Sequence, residues 1–99
     1  MADQMKDMDW VWVIIERHQT DEKLFGQFDE ERNESFIPVF RGKEDALMVL
    51  GRLAKRKDHY YQVQASRYGE VAAAARETGF MLFFLDGEGQ ILDKVVFSH

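Results

Sequence analysis

Apolar residues occur in short runs along this chain, and polar turns separate the runs. Residues 10–15 and 80–85 are apolar at every position, which is typical of strands that are covered on both faces. Residues 60–65 alternate between polar and less polar positions, which indicates a half-exposed strand. Further strands are predicted at 23–28, 36–40 and 90–97.

Two segments have the spacing of helices. The first follows Gly42 and has an apolar stripe at helical spacing. Acidic residues lie in its first turn and basic residues, up to position 57, lie in its last turn, and both match the helix dipole. The second is predicted over residues 67–78, with Ser66 as its N-cap and Gly79 as the left-handed residue that ends it.

Three positions constrain the strands. Pro38 has no N–H, so it is expected at a sheet edge or with its nitrogen facing away from the neighbouring strand. Gly26 inside a strand indicates a bulge or a close backbone approach. Residues 86–89, Asp-Gly-Glu-Gly, have the chemistry of a hairpin turn.

The elements follow the order β-β-β-α-β-α-β-β, which predicts an α+β protein. We expect residues 1–8 to be a flexible leader and residues 9–99 to form one domain. The short connections favour a single mixed β-sheet of five or six strands with both helices packed on one face. Two helices on one face would leave the apolar residues of the other face uncovered, and these residues need a partner surface.

Composition narrows the possible functions. The 99 residues contain no cysteine, which excludes disulfides, thiolate metal sites and a cysteine nucleophile and fits a reducing, cytoplasmic environment. The net charge of −5 makes nucleic acid an unfavourable partner. The apolar runs are too short to span a bilayer, and we predict neither a cofactor nor membrane association.

The run Phe36-Ile37-Pro38-Val39-Phe40, followed by Lys43-Glu44-Asp45-Ala46 and later by Gly79 and the apolar strand 80–85, resembles the SseB-like N-terminal domain of bacterial proteins. The resemblance covers residues 34–90. Gly42 stands where a serine or threonine cap is usual, and Asp86-Gly87 stands where an Asn-Pro corner is usual. The resemblance implies a compact α+β module with no assigned chemistry.

The leading functional hypothesis is a non-catalytic binding module that forms a homodimer or binds a protein partner through the helix-free sheet face. Trp10 and Trp12 are two residues apart on a strand and therefore share a face, and tryptophan is enriched at interface hot spots. With Phe83 they form the predicted contact set.

Two alternatives remain open. A basic segment with aromatic neighbours suits a small-ligand or nucleic-acid binding regulator, although cations at a helix end also complement its dipole. This patch consists of Arg52, Lys55, Arg56 and Lys57, with Tyr60 and Tyr61 following. The second alternative is a small hydrolase that uses His18 and Asp21, which requires a pocket joining them to a second acid. No metal-ligand spacing is present.

Overall fold

The computed structural model describes residues 5–97. The α+β class and the order of elements are confirmed, except that the strand predicted at 23–28 is divided in two. The elements are β1 (Trp10–His18), β2 (Asp21–Leu24), β3 (Gln27–Asp29), β4 (Glu34–Val39), α1 (Lys43–Arg52), β5 (His59–Arg67), α2 (Tyr68–Thr78), β6 (Met81–Leu85) and β7 (Ile91–Val95).

The strands form two sheets, so the predicted single mixed sheet of five or six strands is wrong. Sheet A is antiparallel and has the order β2-β1-β5. Sheet B has the order β3-β4-β6-β7, in which β4 and β6 are parallel and the other pairs are antiparallel. The predicted apolar strands at residues 10–15 and 80–85 lie in β1 and β6, which are interior strands of their sheets, as predicted.

Within residues 5–97, the backbone pairing between the two sheets is limited to one isolated bridge. In this bridge, Trp12 and Phe40 exchange backbone hydrogen bonds of 2.8 and 2.9 Å. Pro38 lies two residues before Phe40, so its nitrogen faces the same edge of β4, and it has no N–H with which to extend the bridge into a ladder. Pro38 pairs with Phe83 of β6 and directs its nitrogen away from that strand, which is the second of the two arrangements predicted for it; β4 itself is not an edge strand.

The chain passes from sheet A to sheet B at Phe25 and Gly26. The Phe25 N–H donates to the Ile14 carbonyl at 2.8 Å, and the chain then bends into β3. A Cβ atom at position 26 would lie 2.6 Å from the Phe80 ring, so only glycine fits here without displacing that ring. The close approach predicted for Gly26 is confirmed.

The two helices pack on opposite faces of the sheets. Val71 of α2 belongs to a core cluster with Val11 and Val13, whereas Ala46 of α1 belongs to a cluster with Ile14. Successive strand residues point to opposite faces, so each face of β1 is covered by a different helix. The expectation of both helices on one face is therefore wrong. Apolar residues on both faces of the interior strands each require a cover, and one helix per face supplies it.

The helix ends differ in part from the prediction. α1 stops at Arg52 rather than at residue 57, because Leu53 is extended and packs against the core on the α1 face. Ser66 does not cap α2, because it still belongs to β5, where it is paired with Val11. Gly79 is left-handed, with φ of 78°, as predicted.

The predicted hairpin turn at residues 86–89 is confirmed. The Gly89 N–H donates to the Asp86 carbonyl at 3.0 Å, and the Asp86 carboxylate accepts from the N–H groups of Glu88 and Gln90. The turn joins β6 to the antiparallel strand β7.

Residues 5–9 lie against the start of α2. The carbonyls of Asp7 and Asp9 accept hydrogen bonds from the N–H groups of Gly69 and Tyr68, and Met5 packs against the core on the α2 face. Residues 1–4 of the predicted leader lie outside the described residues. Neither of the two helices within residues 5–97 has the length and apolar character needed to cross a bilayer.

Candidate functional site

The three residues of the predicted contact set differ in exposure. Trp10 is 55% exposed, with the Arg67 guanidinium 3.8 Å from its ring centroid. Trp12 is half-buried against the core on the α1 face, and Phe83 is 1% exposed in that core. Trp10 is therefore the most exposed of the three, whereas Phe83 cannot contact a partner while the core remains intact.

The basic segment is partly used within the protein. Arg52 donates to the Gly87 carbonyl in the turn before β7, and the Lys55 ammonium donates to the Leu50 carbonyl at the end of α1, at 2.9 Å. Lys57 is exposed, and Arg56 lies on the rim of a cavity. A ligand or nucleic-acid role for the whole segment stays a prediction.

β5 presents a long free edge. It pairs with β1 without interruption over nine residues, from His59 opposite His18 to Arg67 opposite Trp10. Within residues 5–97, no strand pairs with its other edge. A free strand edge carries backbone donors and acceptors that can pair with another chain.

The pairing of β1 shows which backbone groups of β5 point outward. Trp12 and Ile14 direct their backbone groups away from β5, because they bond to Phe40 and Phe25 on the opposite side. The intervening residues of β1, Val11 and Val13, therefore direct theirs toward β5.

Val11 and Val13 are opposite Ser66 and Gln64, so these two residues of β5 point inward. The N–H and C=O groups of Tyr61, Val63 and Ala65 consequently point out from the free edge.

This edge lacks the features that usually prevent pairing. From Tyr60 to Ser66 it contains no charged residue and no proline, and its register with β1 has no bulge. Proteins commonly protect free edges with charges, proline, bulges or very short strands. β5 has none of these over its central seven residues.

A buried glutamate holds the beginning of β5. Glu16 of β1 is 5% exposed, and its Oε2 accepts hydrogen bonds from His59 Nδ1 at 2.7 Å and from the Tyr61 hydroxyl at 3.0 Å. An ionised carboxylate only accepts hydrogen bonds, so the Nδ1–H group of His59 is the donor to Glu16. Glu16, His59 and Tyr61 are named the Glu16 cluster below.

Burial and hydrogen bonding act in opposite directions on Glu16. Burial raises its pKa, but the hydrogen bonds from Tyr61 and His59, together with the positive charge of Lys23, outweigh burial and lower the pKa below the ordinary value. Glu16 is therefore ionised at neutral pH. It attaches the first residues of β5 to the centre of sheet A.

The loop before β5 closes over this cluster. The Arg56 N–H donates to the Tyr61 hydroxyl at 3.1 Å, and His18 Nδ1 lies 3.3 Å from the Asp58 carbonyl. The His18 and His59 rings stack with centroids 4.2 Å apart. These contacts hold the N-terminal half of β5 in a fixed, extended geometry.

A small cavity beside the cluster brings His18, Asp21 and Glu16 together. Its volume is about 160 Å³, and it satisfies the spatial condition set by the hydrolase hypothesis. Its lining contains no serine, threonine or cysteine to act as a nucleophile. Among residues 5–97, no three histidine or acidic side chains are grouped so that they could hold a metal ion. The hydrolase hypothesis stays a prediction.

Sequence reasoning did not find the free edge or the Glu16 cluster. The alternation of residues 60–65 predicted the strand, but its position at the end of a sheet depends on the topology. His59 and Glu16 are 43 residues apart, and no motif joins them.

Comparisons of the chain with protein-family models, with curated proteins and with solved structures found no match. The resemblance to an SseB-like domain therefore remains a prediction.

Proposed function

We propose that this chain is a non-catalytic binding module that self-associates by antiparallel pairing of β5 with β5 of a second copy. The observation that carries the proposal is the free, regular and uncharged edge from Tyr60 to Ser66. The surface differs from the one that the sequence predicted, because each helix covers one face of the sheets. The proposed function, binding to a second copy of the chain, is one of those that the sequence predicted.

The sequence of β5 suits pairing with itself. A twofold axis at Val63 places Gln62 opposite Gln64 of the second copy and Tyr61 opposite Ala65. The large tyrosine side chain then faces a small alanine, and two amides face each other. Such an isologous contact is the commonest form of homodimer.

The backbone geometry suits the same axis. The outward backbone groups belong to Tyr61, Val63 and Ala65. With the axis at Val63, Tyr61 of one copy pairs with Ala65 of the other, and the two Val63 residues pair with each other. Val63 of each copy donates to and accepts from Val63 of the other, as in a hydrogen-bonded antiparallel pair. The two three-stranded sheets would become one continuous six-stranded sheet.

The dimer is expected to be weak. A single pair of edge strands buries less area than a standard interface of about 1,600 Å². We therefore expect dissociation constants in the micromolar to millimolar range, as for transient contacts.

The cysteine-free composition is in keeping with a reducing compartment, and we propose that the protein acts in the cytoplasm of a bacterium as an SseB-like module.

Sedimentation velocity over a concentration series tests the proposal with two variants. Gln62→Lys/Gln64→Lys places introduced lysines opposite each other across the axis and is expected to give monomers. Gln62→Lys/Gln64→Glu places a lysine opposite a glutamate and is expected to retain the dimer. Both sites are exposed, so neither change disturbs the core.

The Gln62→Lys/Gln64→Glu variant is also the control for the general effect of two charged substitutions on β5. Equal weakening by the two variants would contradict antiparallel pairing about Val63. A wild-type chain that remains monomeric into the millimolar range would remove self-association altogether.

A further inference from the structure

A second cavity lies where the chain bends from sheet A to sheet B, apart from the free edge of β5. Its volume is about 450 Å³, within the range of about 300–1,000 Å³ that is usual for small-molecule sites. β2, the bend at Gly26 and the C-terminal half of α2 form its walls. The apolar part of its lining consists of Leu24, Phe25, Ile37, Ala74 and Phe80.

Local packing defines the apolar walls. Phe25 packs edge-to-face on Tyr61 with centroids 5.9 Å apart, and the Phe80 ring lies directly on Gly26, where a Cβ would meet it. Both phenylalanines remain only half-buried. Their exposed apolar surface has no cover within residues 5–97, and an apolar ligand would remove it from water.

Charged groups also line the cavity. Lys23 and Arg56 are exposed there, and the only carboxylate of the lining is Glu16. Within the described residues, neither cation makes an ion pair within 4.0 Å. Within the described lining, two cations and one carboxylate give a net charge of +1.

We infer that this cavity binds a small monocarboxylate with an apolar tail. The carboxylate would lie between Lys23 and Arg56, and the tail would lie along Phe25 and Phe80. One negative charge on the ligand compensates the one unbalanced positive charge. Charge-assisted hydrogen bonds from a lysine and an arginine are the usual means of holding such a group.

Titration with octanoate, followed by ¹H–¹⁵N correlation spectra and calorimetry, tests the inference. We expect saturable shifts of the amides of Leu24, Phe25 and Gly26. Uncharged 1-octanol is expected to bind at least about tenfold more weakly, since it lacks the charge that Lys23 and Arg56 would contact.

Two substitutions on adjacent helix positions provide a matched pair. Ala74→Leu puts a larger side chain into the cavity and is expected to abolish octanoate binding, whereas Ala73→Leu lies on an exposed position outside the lining and is expected to leave binding unchanged. Well-dispersed spectra of both variants establish that each is folded.

Arg56→Gln changes an exposed residue and carries little risk to folding. It is expected to weaken octanoate binding about tenfold, with no change for 1-octanol. Wild-type affinity for octanoate in either Ala74→Leu or Arg56→Gln would overturn the inference, as would equal affinity of the wild type for octanoate and octanol. The absence of saturable shifts at millimolar octanoate would also overturn it.

Octanoate binding is expected to be unchanged in Gln62→Lys/Gln64→Lys. That variant changes β5 and leaves the cavity lining intact. Failure of self-association and failure of the ligand site are therefore measured separately.

Discussion

The two sheets end in edge strands that differ in their capacity to pair with another chain. β5, at the end of sheet A, is nine residues long, regular and uncharged over its central part. β7, at the end of sheet B, has five residues and carries Asp93 and Lys94, and its pairing with β6 contains a shift in register between Phe84 and Leu85. β7 has the features that prevent edge pairing, and β5 lacks them.

The remaining edges resemble β7. β2 has four residues, three of them charged, and β3 has only three residues. Of the four sheet edges within residues 5–97, three are protected and the longest one is bare, which makes it a surface suited to a partner strand. The difference between the edges is therefore the main functional information in this structure.

The largest expected effect comes from removing the carboxylate that holds β5. Glu16→Ala leaves His59 and Tyr61 without their shared acceptor and is expected to lower the free energy of unfolding by about 3 kcal/mol, since removing one partner of a buried pair is costly. Urea denaturation measures it.

Glu22→Ala is the matched control for that change. Glu22 makes an exposed ion pair with Arg17 at 2.8 Å, and its loss is expected to cost about 0.5 kcal/mol. Equal losses for the two variants would mean that the Glu16 cluster does not stabilise the beginning of β5.

The contribution of Glu16 depends on pH in a defined direction. Its pKa in the folded protein lies below the ordinary value of 4.5, so its ionised form stabilises the fold above pH 4.5 and this stabilisation is lost as pH falls through the folded pKa. The difference in unfolding free energy between wild type and Glu16→Gln, measured in urea at successive pH values, should shrink below pH 4.5. A difference in unfolding free energy that grows on acidification would mean that the pKa of Glu16 is raised, not lowered, in the folded protein.

A smaller effect is expected from removing the protection of β7. Lys94 forms an ion pair of 3.5 Å with Glu34, and Lys94→Thr removes one of the two charges that β7 carries. In the Gln62→Lys/Gln64→Lys background, we expect it to favour association between β7 edges by about 1 kcal/mol relative to that background, which sedimentation at millimolar protein concentration detects.

Lys57→Thr makes the same change of charge in an exposed loop and should leave that background monomeric. If both lysine variants behave alike, the charge on β7 does not protect its edge.

The smallest expected effect concerns the side chains beside the proposed axis. Tyr60 is 71% exposed and would face Ser66 of the second copy. Tyr60→Ala is expected to weaken the dimer by about 0.5 kcal/mol, a typical value for one cross-strand pair. Analytical ultracentrifugation measures the change, and an unaltered dissociation constant would place Tyr60 outside the interface.

The local elements of this fold could be predicted from sequence, because the apolar runs, Gly79 and the turn at residues 86–89 act over a few residues. Even the effect of Pro38 could be stated in advance: it has no N–H to donate. Which strand its nitrogen faces depends on the bridge between Trp12 and Phe40, and that contact arises only in the folded chain.

The candidate sites could not be predicted for the same reason. The free edge depends on which strand ends sheet A, and the Glu16 cluster joins residues from β1 and β5. The apolar content of the interior strands suggested an uncovered face, but a helix on each face covers it. A count of apolar residues does not determine which surface they occupy.

The most direct test of self-association is amide hydrogen exchange at neighbouring positions of β5 as protein concentration is raised. The amides of Val63 and Ala65 point outward, so they are expected to exchange rapidly in dilute protein and to become protected in concentrated protein. The amides of Gln62 and Gln64 bond to β1 and should be protected throughout. Exchange at Val63 and Ala65 that stays rapid at every concentration would contradict pairing of the β5 edges.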